Sequence, residues 1–107
     1  MSQNHTGSGI YLGTDPDQEK ASFYRVAKTA NITTTLAQIQ ATRAMRDFKI
    51  IKFFPVQDLK KAEEFIRSAL KNKYLPNSTE WVKTDENGIN KIANTVETLV
   101  DIVNNSE

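Results

Sequence analysis

Seven apolar residues between Ile89 and Val103 decide much of what this chain can become. Ile89, Ile92, Ala93, Val96, Leu99, Val100 and Val103 recur at +3, +4, +7, +10, +11 and +14 from the first. Only an α-helix gathers that spacing onto one face, and Asp85 stands ahead of it as a cap. A stripe of that width has to be covered by another element, because helical propensity alone does not hold such a helix in water. Leu59, Ala62, Phe65, Ile66, Ala69 and Leu70 form a second stripe at the same period behind the cap residue Asp58. The opposite side of that helix carries Lys60, Lys61, Glu64, Arg67, Lys71 and Lys73.

Two one-sided helices call for a sheet, and three segments have strand character. Ile10-Tyr11-Leu12 is short and apolar, and Thr14-Asp15-Pro16-Asp17 behind it has turn chemistry. Ser22 to Ala27 then reads as a partner strand, which makes the pair an antiparallel hairpin. Phe48 to Phe54 is the clearest strand, with apolar residues on both parities, so both of its faces are expected to be partly covered. Between the strands, Asn31 or Thr33 caps a helix predicted to run to about Met45, although Thr33, Thr34 and Thr35 weaken its first turn. Glu80-Trp81-Val82-Lys83 reads as a short extended piece after the loop Leu75 to Ser78. The expected fold is α+β, a small antiparallel three-stranded sheet flanked by about three helices in the order β-β-α-β-α-α. Residues 1–8 read as a disordered tail bearing His5, and 9–104 as a single domain.

At 107 residues with 38% hydrophobic content, the chain has material for one modest core and not two. No stretch approaches the roughly 20 apolar residues of a membrane span, and the first residues lack the basic and apolar regions of a signal peptide. A cytoplasmic protein is therefore expected. The absence of cysteine rules out disulfides and thiolate metal sites, and a single histidine rules out a cluster of histidines within the chain. Charge is segregated: residues 25 to 73 hold eleven Lys and Arg against Asp47, Asp58, Glu63 and Glu64, a local net of +7. The flanks are acidic, −2 before this block and −4 after it. A basic centre attracts phosphates, although the acidic ends can equally fold against it.

The order Gly9-Ile10-Tyr11, Tyr24-Arg25-Val26-Ala27-Lys28-Thr29, Glu63 in a helical stripe and Glu80-Trp81 resembles the GIY-YIG nuclease superfamily, in its compact phage and large-virus type single domain. The resemblance covers about residues 9 to 90 and implies a tyrosine that helps activate water, an arginine that neutralises the phosphodiester, and a glutamate that holds a divalent metal. Tyr11 stands at the first of these positions and Glu63 at the last. The glycine of the second motif has become Ala27, and Arg25 stands at its tyrosine. Thr35 occupies the place of the catalytic arginine. A positioned guanidinium is worth about 10³ to 10⁵ in phosphoryl-transfer rate, and a hydroxyl replaces neither its charge nor its fork of donors. Arg43 and Arg46 lie further along the same predicted helix, roughly 12 to 16 Å away at about 1.5 Å per residue. Arg25 is the better-placed substitute.

The expected function is thus a catalytically impaired domain of this kind, in a phage or viral accessory protein that binds nucleic acid or a host protein. Tyr24, Arg25, Lys28, Arg43, Arg46 and Lys49 are the candidate binding residues, and Tyr11, Arg25 and Glu63 the candidate catalytic ones. No cofactor is expected on this reading. An active endonuclease is the alternative, and it would use a single Mg²⁺ at Glu63.

Overall fold

The computed structural model describes residues 7–76, 78 and 80–105. Strand β1 (Gly9–Thr14) leads through a short helix α1 (Pro16–Lys20) into β2 (Phe23–Thr29). Helix α2 (Ile32–Gln40), a 3-10 turn (Arg43–Met45) and β3 (Lys49–Pro55) follow. Helix α3 (Leu59–Ala69), β4 (Trp81–Lys83) and α4 (Glu86–Asn105) complete the order. The four strands form one sheet, β3-β1-β2-β4, antiparallel throughout.

The α+β class stands, with four strands and four helices in place of three and about three. The fourth strand is the extended piece at Trp81–Lys83, which pairs with Phe23–Arg25 and so belongs to the sheet. The extra helix arises at the expected turn. Asp15 accepts a hydrogen bond from the Gln18 N–H, and Pro16 occupies a first-turn position where its missing N–H is no loss. The helix expected to reach Met45 ends earlier, at Gln40, because Thr42 adopts an extended backbone and its hydroxyl bonds the Ile39 carbonyl. Its cap is Asn31, whose side chain accepts from the Thr34 N–H. Asp58 and Asp85 cap the next two helices in the same way, through Lys61 and Gly88.

The sheet separates two apolar clusters, as the alternation of side chains along a strand requires. Ile10, Leu12, Tyr24, Val26, Phe54 and Val82 point to the face covered by α3 and α4, where they meet Ala62, Ile66, Val96, Val100 and Val103. The predicted stripe of α4 is buried at every position except Leu99, which is partly buried against the same cluster. Each fully buried Val or Ile there contributes about 1.5–3 kcal/mol of transfer free energy. Tyr11, Ala27, Ile39 and Phe48 fill the smaller cluster on the other face, beneath α2.

Strand β3 lies at the sheet's edge. Its two faces are partly covered as expected, Phe54 on one and Ile50 and Phe53 on the other. The pairing with β1 slips between Leu12 and Gly13, which leaves Ile51 as the extra residue of a bulge and 40% exposed. Lys49, Lys52, Pro55 and the bulge together blunt this edge against pairing with another chain. In β1, close approach explains two glycines: a Cβ on Gly9 would lie 2.3 Å from the Phe54 carbonyl oxygen, and one on Gly13 2.5 Å from the Phe48 ring. Of the expected tail, 1–6 and hence His5 lie outside the described residues. Gly7 and Ser8 are tied down: the Gly7 carbonyl accepts from Ile32 N–H, and the Ser8 hydroxyl donates to the Val56 carbonyl at 2.7 Å.

Candidate functional site

Because β4 is only three residues long, it covers β2 no further than Arg25, and the Glu80 carbonyl accepts the Val26 N–H at 2.7 Å. Beyond that point the edge of β2 lies uncovered by the sheet. Strand alternation aims Arg25, Ala27 and Thr29 to the α2 side and Lys28 to the α3 side. Two charged groups therefore form around one strand end.

On the α2 side, Tyr11 sits opposite Ala27 in the register and is almost fully buried, with its ring edge-on to Phe48 at 6.5 Å. The Arg25 guanidinium donates to a Glu80 carboxylate oxygen at 2.9 Å and lies over the Trp81 ring, 5.9 Å from its centre. Its Nε is buried with no hydrogen-bond partner. Burial pushes the Tyr11 phenol above its ordinary pKa; Arg25 beside it acts in the opposite direction and Glu80 in the same one. Trp81 itself is half-buried and packs against the α2-side cluster.

On the α3 side, Glu63 bonds Lys28 Nζ through one oxygen at 2.9 Å and approaches Arg67 through the other at 3.4 Å. A small cavity of ≈ 20 Å³ lies between these groups and the sheet. Its walls include Ala27, Lys28, Glu63, Arg67, Tyr74 and Glu80. Glu80 thus connects the two sides.

Thr35, where the resemblance implies an arginine, shares a short hydroxyl contact with the buried Thr29, whose oxygen also accepts from the Asn31 N–H. The contact ties the end of β2 to the first turn of α2 and brings no charge. Tyr24 is a core residue, 4% exposed, and offers no surface for stacking. Its position is dictated by parity, since it shares a face with Val26. Arg43 and Arg46 leave the helix with the break at Thr42 and line a separate cleft with Asp15, Asp17 and Asp47. Lys49 lies 4.0 Å from Glu19. Lys49 pairs with Thr14 and Lys28 with Ile10, four residues apart along β1, or about 13 Å. The six candidate binding residues are therefore not one surface: the acidic N-terminal segment folds against Arg43, Arg46 and Lys49, and Lys28 stands with α3.

The carboxylates that would hold a divalent ion are engaged by cations. Both Glu63 oxygens face cations, Glu80 is engaged by Arg25, and among the described residues no three acidic or histidine side chains cluster to hold a metal. Tyr74 and Glu80 were missed as site residues from sequence, because only the loop between α3 and β4 brings them beside Glu63.

Burial raises the pKa of all three tyrosines, Tyr11, Tyr24 and Tyr74, from an ordinary value of 10.0. Each phenol keeps its proton longer when folded than when unfolded, so this contribution is intact below pH 10 and is lost as pH rises beyond it. We expect thermal stability to fall on the alkaline side of pH 10, with tyrosinate absorbance appearing together with loss of helical signal. Ionisation of all three near pH 10 in a folded chain would contradict these environments.

The domain is a small antiparallel α+β fold with cations and phenols gathered around one open strand end. The chain belongs to the T5orf172 domain family, whose family model matches residues 8–97. No curated protein and no solved structure matches it. Among the described residues, no helix is long and apolar enough to cross a membrane.

Proposed function

We propose that this chain is a GIY-YIG-like nucleic-acid-binding domain impaired in cleavage, acting as an accessory or regulatory protein of a phage or virus. The observation that carries the reading is the state of Glu63, whose carboxylate is held between Lys28 and Arg67 in the place where the resemblance implies a metal ligand. Three further features agree with it. Thr35 brings no charge to the arginine's position, Ala27 adds a methyl group at the strand end, and a phenol with a raised pKa is a poor base near neutral pH.

Binding draws on the same groups. Lys28 and Arg67 are about half exposed, and ion pairs of that exposure are worth only about 0–1 kcal/mol, so an arriving phosphate can compete for both cations. Lys60, seven residues before Arg67 on α3, adds a cation to the same side of the helix. Glu97 and Asp101 on α4 line a different groove, with Phe53, Phe54 and Lys52, and would repel a nucleic acid there.

The test is a mobility shift with labelled duplex DNA and duplex RNA over a range of salt concentrations. We expect affinity for at least one probe to fall linearly in log–log form as salt rises. Absence of binding to either probe at low salt would overturn this reading and leave a host protein as the partner. The second reading, an active endonuclease using Mg²⁺, is favoured by one observation: the Arg25 guanidinium stands beside Tyr11 and Glu80, so a cation does accompany the first-motif tyrosine.

A further inference from the structure

The wall of the small cavity holds one group that the charged pairs leave unexplained. Tyr74 packs its ring against the α3/α4-side cluster, as an apolar side chain would, while the residue also lines the cavity with Lys28, Glu63, Arg67 and Glu80. Its position is pinned from both directions. Tyr74 forms a lone bridge with Val82, the next residue's N–H donates to the Trp81 carbonyl at 2.9 Å, and the preceding Lys73 N–H donates to Leu70 at 2.8 Å.

The neighbours define what this phenol can bind. Lys28 and Arg67 supply positive charge, which Glu63 and Glu80 offset until an incoming anion takes their place beside the cations. A volume of ≈ 20 Å³ admits a single water or one oxygen of a larger group. An anionic oxygen that displaces the Glu63 carboxylate from Lys28 and Arg67 comes beside Tyr74, which lines the same cavity. The charges of Arg67, Glu63 and Glu80 all act on that phenol, which places it within their field, and burial keeps it protonated and able to donate.

We propose that Tyr74 is a phosphate-binding residue, whose hydroxyl donates to a non-bridging oxygen of a nucleic-acid phosphodiester seated between Lys28 and Arg67. This rests on the nucleic-acid-binding reading above, and it adds a neutral donor supplied by the loop between α3 and β4. A neutral donor leaves a signature different from a cation's, because removing it releases no counterion difference.

The experiment is Tyr74→Phe, which keeps the ring and its packing, measured with the same labelled duplex probes across salt. Affinity should fall about tenfold, the loss of one hydrogen bond to a charged group, with the salt slope and the melting temperature unchanged. Wild-type binding with equal affinity in Tyr74→Phe overturns this proposal alone. A reduced salt slope in the variant also overturns it, since the phenol would then act through the cations. No binding by the wild type overturns it together with the reading on which it rests.

Discussion

Replacing Phe48 by alanine should destabilise the domain by about 3–5 kcal/mol. The side chain is 1% exposed and stands just before β3, fixed by a bond from Phe48 N–H to the Met45 carbonyl and by one from the Gln40 amide to the Phe48 carbonyl. Its ring abuts the backbone of Gly13 so closely that no Cβ fits between them, and it meets Tyr11 edge to face. Truncation leaves a cavity that a strand on one side and a 3-10 turn on the other cannot close. Each kcal/mol lost lowers the melting temperature by about 4–8 °C in a domain of this size. Denaturant titration reads the change as a shifted midpoint at constant slope. Ile102→Ala, at a side chain 50% exposed, should stay within about 0.5 kcal/mol of the parent.

The second large effect is on binding. Lys28→Ala combined with Arg67→Ala should reduce the slope of log affinity against log salt by about two, since each phosphate contact contributes about 0.9. At about 0.1 M salt that corresponds to roughly a tenfold loss for each cation. Folding should be little affected, because the Glu63 carboxylate left behind is 24% exposed and can turn to water. Arg43→Ala with Arg46→Ala is the informative contrast. Those side chains share their cleft with Asp15, Asp17 and Asp47, and their loss should change the slope far less. Equal effects from the two pairs would place the binding surface elsewhere.

Local chemistry in the sequence was enough for α3, α4 and most strands. The stripes of α3 and α4 fix their buried faces through periodicity alone, and Asn31, Asp58 and Asp85 announce their caps. Elements set by competition between neighbours were harder to read. Thr42 ends α2 early by bonding the Ile39 carbonyl, a choice that propensity does not reveal and that moves Arg43 and Arg46 to another part of the molecule. Pro16 behind Asp15 reads equally as a turn or as the start of α1.

The candidate site divides in the same way. Tyr11 lies under α2 and Glu63 on α3. Which cations meet them is a tertiary matter: Glu80 reaches Arg25 across 55 residues of chain and Glu63 reaches Lys28 across 35. Tyr24 was offered as a surface aromatic, yet its parity with Val26 already pointed it to the core. Tyr74 carries no motif at all.

Supercoiled plasmid incubated with the purified chain and Mg²⁺ or Mn²⁺, beside Glu63→Ala, probes the central claim most directly. Retarded but uncut plasmid, the same for both proteins, is the predicted result. Nicking by the parent chain that disappears in Glu63→Ala would show that Lys28 and Arg67 yield this carboxylate to a metal, and would contradict the account.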